Sequence, residues 1–137
     1  MPVVDANVLV VMVSGDSRRQ LVLKQITRWL DEDAELHAPL LAHYEIASAL
    51  TRWVARETFP LDKIEDAVEG ILVVPVHYHP ITNIPRPVEI ARKLQRQSAY
   101  DAAYLQLAES LDSALWTLDG PLYRNAIAYG FDVRLIQ

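Results

Sequence analysis

The stretch Pro2–Val13 constrains this chain more than any other, because one carboxylate, Asp5, and one carboxamide, Asn7, sit inside an otherwise unbroken apolar run. Polar groups placed in apolar surroundings are expensive unless something satisfies them. The Val-rich run reads as the first and central strand of a parallel sheet, whose strands are covered on both faces and therefore lack alternation. Sheets of that kind collect ligands at the carboxyl ends of their strands. Asp5 is thereby expected on the rim of a site, and the search is for the groups that join it.

The rest of the chain alternates between the two periodicities. A helix is expected over Arg18–Leu30 with Ser17 as its cap, then a strand at Leu36–Ala38 and a helix over Pro39–Arg56, opened by the proline. Leu61–Ile71 reads as a third helix and Leu72–Tyr78 as a strand near a sheet edge, since Pro75 cannot donate to a ladder. After a proline-rich connection from Pro80 to Pro87, helices are expected over Pro87–Gln95 and Ala99–Leu111, the latter capped by Ser98. A buried strand over Ser113–Leu118, a helix over Leu122–Tyr129 stopped by Gly130, and a strand over Phe131–Ile136 complete the order. Strands alternating with helices predict a three-layer α/β/α sandwich around a mostly parallel sheet. With no repeat, linker or low-complexity tract, residues 1–137 are expected to form one domain.

Composition removes whole classes of function. No stretch approaches the roughly 20 apolar residues of a membrane span, and the first residues lack the basic start of a secretory signal. The absence of cysteine excludes thiolate chemistry and disulfides and fits a reducing cytoplasm. Only four glycines, none clustered, argue against a phosphate-cradling loop. A net charge of −5 looks unfavourable for nucleic acid, but two divalent cations add four positive charges and bring it to −1.

Four acids stand out by position. Asp5 follows the first strand, Glu45 borders the apolar stripe of the second helix, Asp101 begins the fifth helix, and Asp119 ends the fourth strand. Singly, each of the last three has an ordinary explanation as a solvated helix residue, a helix-start acid or a turn-former. Together they fall where an α/β sheet presents ligands. Clustered carboxylates without cysteine or a histidine motif select hard, oxygen-seeking cations, Mg²⁺ or Mn²⁺. Two such cations suit the hydrolysis of a phosphodiester by an activated water, without a covalent nucleophile.

The segments Val3–Leu9, Pro39–Ala49 with Glu45, Ser98–Ala108 with Tyr100-Asp101-Ala102-Ala103-Tyr104-Leu105, and Leu115–Asp119 with Thr117 two before the last acid resemble a PIN domain. More narrowly they are similar to the VapC-type toxins of prokaryotic toxin–antitoxin pairs, over nearly the whole chain. The resemblance implies a metal-dependent endoribonuclease with Asp5, Glu45, Asp101 and Asp119 at the acidic positions, and Asn7 and Thr117 as supporting or substrate-orienting groups. It also implies a homodimer and a cognate antitoxin that blocks the site with a C-terminal segment.

Arg52 and Arg56 lie within about 20° of Glu45 on one helix line, either as a phosphate track for RNA or as a solvated edge. Arg92 and Arg96 read as surface cations paired by acids such as Glu89. His77 and His79 share a strand face without an apparent third ligand and read as structural, while His43 precedes Glu45 closely enough to approach the pocket. Tyr100, Tyr104, Trp29 and Trp53 read as core or dimer interface rather than base-stacking platforms. Two rival functions remain: a catalytically silent PIN-like binding module, and a phosphotransfer domain with Asp5 as phosphoacceptor. Against the second, no lysine lies beyond Lys93 to meet a phosphoryl group.

Overall fold

A computed structural model describes residues 1–137. Its elements, in chain order, are β1 (Val3–Val4), α1 (Ala6–Met12), α2 (Arg19–Asp31), β2 (Leu36–Pro39) and α3 (Leu41–Ala55). A short 3-10 turn at Leu61–Lys63 leads into α4 (Ile64–Leu72), followed by β3 (Val76–His79), α5 (Pro85–Lys93) and α6 (Tyr100–Ser110). β4 (Leu115–Thr117), α7 (Gly120–Ala128) and β5 (Val133–Leu135) end the chain.

The five strands form one wholly parallel sheet in the order β3-β2-β1-β4-β5, with β1 central and β3 at an edge, as the sequence led us to expect. Right-handed crossovers put the helices that follow β1 and β2 on one face and those that follow β3 and β4 on the other. The packing agrees: α1 touches α2, α3 and α4, whereas α6 lies against α5, β1, β2 and β4. The core is one cluster of 33 buried apolar residues, to which β1, α1 and α6 contribute Val3, Val4, Val8, Leu9, Tyr104 and Leu105. No helix is long and apolar enough to cross a membrane.

The expected strand over Pro2–Val13 is the largest correction. Only Val3 and Val4 are strand; Asp5 turns the chain with φ −68° and ψ 146°, and the remaining valines form helix α1. Six of the seven α1 residues are buried, so this helix is apolar on all sides and cannot be told from a buried strand by periodicity. Packing overrides the modest helix propensity of valine here.

Smaller corrections share one cause, the placement of turns. Ser17 and Ser98 do not cap: α2 and α6 start after Arg18 and Ala99, without a side-chain cap. Pro39 closes β2 instead of opening α3. Leu72 ends α4, so β3 begins only at Val76, and α5 starts two residues early, at Pro85. Gly130 does terminate α7, with the positive φ of 86° that favours glycine.

Candidate active site

The strand order reverses beside β1. The chain moves from β1 outward to β2 and β3, then crosses back to β4, leaving a crevice at the carboxyl ends of β1 and β4. Asp5 follows β1 directly and Asp119 lies two residues past β4, so both fall at this switch point. Glu45 comes from the first half of α3 and Asp101 from the first turn of α6.

Asp5 is held by strand geometry and by a hydroxyl. Its amide donates to the Trp116 carbonyl at 3.0 Å, extending the β1–β4 ladder, and its Oδ2 accepts from the Thr117 Oγ1 at 2.8 Å. Thr117 is fully buried and also receives the Asp119 amide at 3.0 Å and, weakly, the Asn7 carboxamide at 3.5 Å. One threonine thus ties together both strand-end acids and Asn7. Burial pushes the Asp5 carboxyl up to about 7; the Thr117 hydrogen bond opposes this, and the neighbouring Glu45 and Asp101 charges add to it.

Glu45 and Asp101 are likewise raised, first by burial and then by other acids: Asp101 acts on Glu45, and Asp119 acts on Asp101. The opposing groups differ. The Tyr104 hydroxyl donates to Glu45 Oε1 at 2.6 Å, with Arg52 a weaker aid, while Arg96 reaches Asp101 Oδ2 at 3.9 Å. Asp119 keeps part of its ordinary role, since its Oδ1 caps α7 by accepting the Leu122 amide at 3.0 Å.

The four acids form one electrostatic neighbourhood but not a closed ligand cage. As placed, no three acidic or imidazole side chains share an ion-sized site. Glu45 and Asp119 are each tied to the protein by a hydrogen bond. The donor chemistry nonetheless fits a hard divalent cation, because every candidate ligand is a carboxylate oxygen. Asn7 adds an independent sign: its buried Oδ1 has no donor in the protein, leaving an acceptor for water at the site.

The other candidates divide. Arg52 lines a groove of about 310 Å³ with Leu41, Tyr44, Glu45, Ser48 and Tyr100, but Arg56 only ends α3 and is not part of that lining. Arg96, read as an ordinary surface cation, lies beside Asp101 instead. His43 turns to the Tyr78 ring, 4.0 Å away between centroids, and not to the acids. Trp29 and Tyr104 are core, and Trp53 packs on Phe59, whereas Tyr100 is 60% exposed and belongs to no core. Tyr104 was legible as a buried aromatic but its role as the Glu45 donor was not, because 59 residues separate the pair.

Comparison with known proteins agrees with this geometry. Residues 3–128 match the PIN domain family. The chain is 34% identical over 121 residues to VapC ribonuclease Mb0985 of Mycobacterium bovis, covering 87% of this chain and 86% of that protein. It is 29% identical over 124 residues to Ribonuclease VapC3 of Pyrobaculum aerophilum, covering 88% and 90% respectively. The fold is similar to the crystal structure of PAE2754 from Pyrobaculum aerophilum, with a TM-score of 0.69 at 18% identity over 98% of this chain and 88% of that one. Family match, sequence relatives and fold converge, and this chain belongs to the PIN-domain family, in its VapC branch.

Proposed function

We propose that this chain is a divalent-metal-dependent endoribonuclease, the toxin of a toxin–antitoxin pair, with residues 1–137 acting as one catalytic domain. The proposal is supported by Asp5, Glu45, Asp101 and Asp119, from four separate segments, lying within electrostatic reach of one another near the switch point of a parallel sheet. The relatives' names, which describe VapC ribonucleases, support RNA as the substrate. Retention of all four acids argues against a silent binding module.

In this reading Asp5, Glu45 and Asp101 hold the principal cation and Asp119 completes its shell or holds a second. Mg²⁺ is the preferred ion and Mn²⁺ the substitute. When bound, such a cation supplies Lewis-acid activation of water and neutralises charge at the phosphodiester. The protein's part is positional. Thr117 fixes the orientation of Asp5, Tyr104 fixes Glu45, and Arg96 offsets the negative charge around Asp101. Asn7 offers its free Oδ1 to a water entering the site, and Arg52 stands at the groove mouth to meet a substrate phosphate.

A cytoplasmic location, a homodimer and a cognate antitoxin belong to the same proposal. An apolar groove of about 470 Å³ supports a protein contact: it runs past Leu41, Ile81 and Pro87 to Tyr100, with exposed Ile84 and Val88 on α5 or beside it. The direct test is cleavage of a mixed tRNA and rRNA pool with Mg²⁺, with Mn²⁺ and with chelator, by wild type and by Asp101→Asn. Cleavage is expected only for wild type with a cation. Equal cleavage in every arm refutes the mechanism, and a phosphoryl group trapped on Asp5 would favour phosphotransfer instead.

A further inference from the structure

One arginine beside the site is placed by a glycine. A Cβ added to Gly120, the first residue of α7, would stand 3.0 Å from Arg124 Nη1 and 3.7 Å from its Cζ, so the guanidinium folds back over the start of the helix. Helix geometry favours that direction, because side chains tilt toward the N-terminus and residues i and i+4 lie one above the other. The helix start follows Asp119 at the carboxyl end of β4, so Arg124 points to the rim that carries the acids. Arg124 is nevertheless exposed and in no ion pair. Asp119 does not pair with it, since its Oδ1 accepts the Leu122 amide, and α7 itself carries no acid. The helix is fixed in place by Asn125, whose Nδ2 donates to the Leu94 carbonyl at 3.1 Å.

From this geometry we infer that Arg124 is a phosphate-contacting residue, holding the RNA backbone on the flank of the acids opposite to Arg52, and that Gly120 keeps open the space its guanidinium occupies. This rests on the ribonuclease reading above and adds a residue to it. Arg52 reaches the site from α3, on one face of the sheet, and Arg124 from α7, on the other. The acids run between them: Arg52 acts on Glu45, Glu45 and Asp101 act on Asp5, and Asp119 acts on Asp101. A polynucleotide crossing the acids therefore passes from one unpaired guanidinium to the other. Arg96 is engaged instead, with its Nη2 3.9 Å from Asp101 Oδ2. Arg124 makes and breaks no bond; a guanidinium stays protonated and offers paired N–H donors to phosphate oxygens. A merely solvated helix edge leaves the glycine without a reason. Gly120 is not among the residues with positive φ, so its backbone accepts any side chain, and alanine is the better helix former.

The test is steady-state cleavage of a labelled tRNA with Mg²⁺ over a series of salt concentrations, by the full chain and its variants. Arg124→Gln is expected to raise KM about 10-fold, as loss of a charged hydrogen-bond donor does. Its kcat should stay within about twofold, the signature of binding shared by ground and transition states. The dependence of log KM on log salt should become shallower by about one, because one phosphate contact is gone. Arg124→Lys, which keeps the charge without the paired donors, should keep the wild-type salt dependence. Gly120→Ala should raise KM in the same direction while melting no lower than wild type, and should add nothing to Arg124→Gln, since its Cβ acts only through the guanidinium. Dissociation constants of the same substitutions in the non-cleaving Asp5→Asn protein, read by fluorescence anisotropy of the labelled tRNA, should follow the KM values. An Arg124→Gln protein with the KM and salt dependence of wild type overturns the inference and leaves the nuclease intact. A Gly120→Ala protein that loses kcat at unchanged KM overturns it too, by placing the effect on Asp119. A wild type that cuts no RNA removes the ribonuclease reading itself; the anisotropy arm still decides on Arg124, and equal affinities there overturn its role.

Discussion

Two clusters of like titratable groups sit on the same sheet, and they solve their crowding differently. At the edge, His37 on β2 is the register partner of His77 on β3; its ring stacks on His77, and its Nδ1 meets His79 Nε2 at 2.7 Å. At the switch point, Asp5, Glu45, Asp101 and Asp119 crowd each other without any contact among themselves. Burial drives both toward neutrality, holding His37 below its usual pKa and raising Asp5 above its own. The difference is in hydrogen-bond chemistry. A neutral imidazole is donor and acceptor at once, so His79 satisfies His37 Nδ1, and only His37 Nε2, 3.6 Å from the Glu35 carboxylate, is left without a hydrogen bond. Ionised carboxylates only accept. They borrow donors from Thr117, Tyr104 and the Leu122 amide, and the balance of negative charge invites a cation. Crowding alone therefore does not mark a site; crowding that the protein leaves unbalanced does.

The largest expected effect breaks the comparison at its acidic end. Asp5→Asn removes one proposed ligand, and RNA cleavage should fall at least about 100-fold, no less than when a supporting residue of a metal site is lost. The same substitution should stabilise the metal-free protein at pH 8. An unfolded Asp5 ionises near 3.8 and the folded one near 7, so between these values the unfolded chain has lost a proton that the native state keeps. Stability due to this group falls as pH rises through that window, by up to roughly 4 kcal/mol, and then levels off. Denaturant melts of both proteins from pH 4 to 8 check it: wild type should weaken along the series relative to Asp5→Asn. A parallel decline in both would locate the effect elsewhere.

Next in size is the response to cation. A ligand present at 100 times its Kd adds about 2.7 kcal/mol of stability. Mg²⁺ or Mn²⁺ should therefore raise the melting temperature of wild type at pH 8 and leave Asp5→Asn nearly unmoved. The histidine cluster serves as the internal control, since its imidazoles already stack on and hydrogen-bond to one another. Zn²⁺ stabilising Asp5→Asn as strongly as Mg²⁺ stabilises wild type would erase the distinction between the two clusters.

What the sequence made legible follows the same line. The acids could be found because strand ends and helix starts are visible in the hydrophobic pattern, and such ends converge in an α/β sheet. The valine run after Asp5 was misread because α1 is buried on every side, which removes the polar face that distinguishes a helix. Tyr100 was read as core or dimer interface from its helical neighbours; the core half of that reading fails, because the first residue of α6 projects into the groove. Arg96 and Tyr104 were invisible as partners of Asp101 and Glu45, because both contacts depend on how α5 and α6 are laid against the sheet and α3. The histidine cluster needed the strand register: His37 lies 40 residues before His77 and becomes its neighbour only through β2–β3 pairing.

A smaller effect belongs to that edge. His79→Ala takes away the partner of His37 Nδ1 and leaves a buried ring nitrogen unsatisfied, a loss of about 1–3 kcal/mol. Cleavage of RNA by the folded protein should not change. The pH dependence runs opposite to that of Asp5. His37 in the unfolded chain takes up a proton near 6.5 and in the native state only at lower pH, so its contribution is complete above 6.5 and is lost as pH falls below it. A His79→Ala protein that melts like wild type at pH 7.5 would show that the 2.7 Å contact contributes nothing.

The smallest effect sharpens the acidic end. Tyr104→Phe deletes one hydroxyl, 2.6 Å from Glu45 Oε1, and leaves the buried ring in place. That hydroxyl stabilises the ionised form of Glu45, so its removal lets burial and the Asp101 charge raise the Glu45 pKa further. The fraction of Glu45 able to hold a cation then falls on the acid side. Cleavage should drop by roughly 10-fold, the lower end for a supporting residue of a metal site, with a greater deficit at pH 6 than at pH 8. The acid limb of the pH–rate curve should also move to higher pH. Those two signatures separate positioning of a charged ligand from simple packing, because a packing defect would lower the rate equally at every pH. An unchanged acid limb would leave Glu45 outside the titrating group that governs the reaction, and only the three aspartates would then remain to hold the cation.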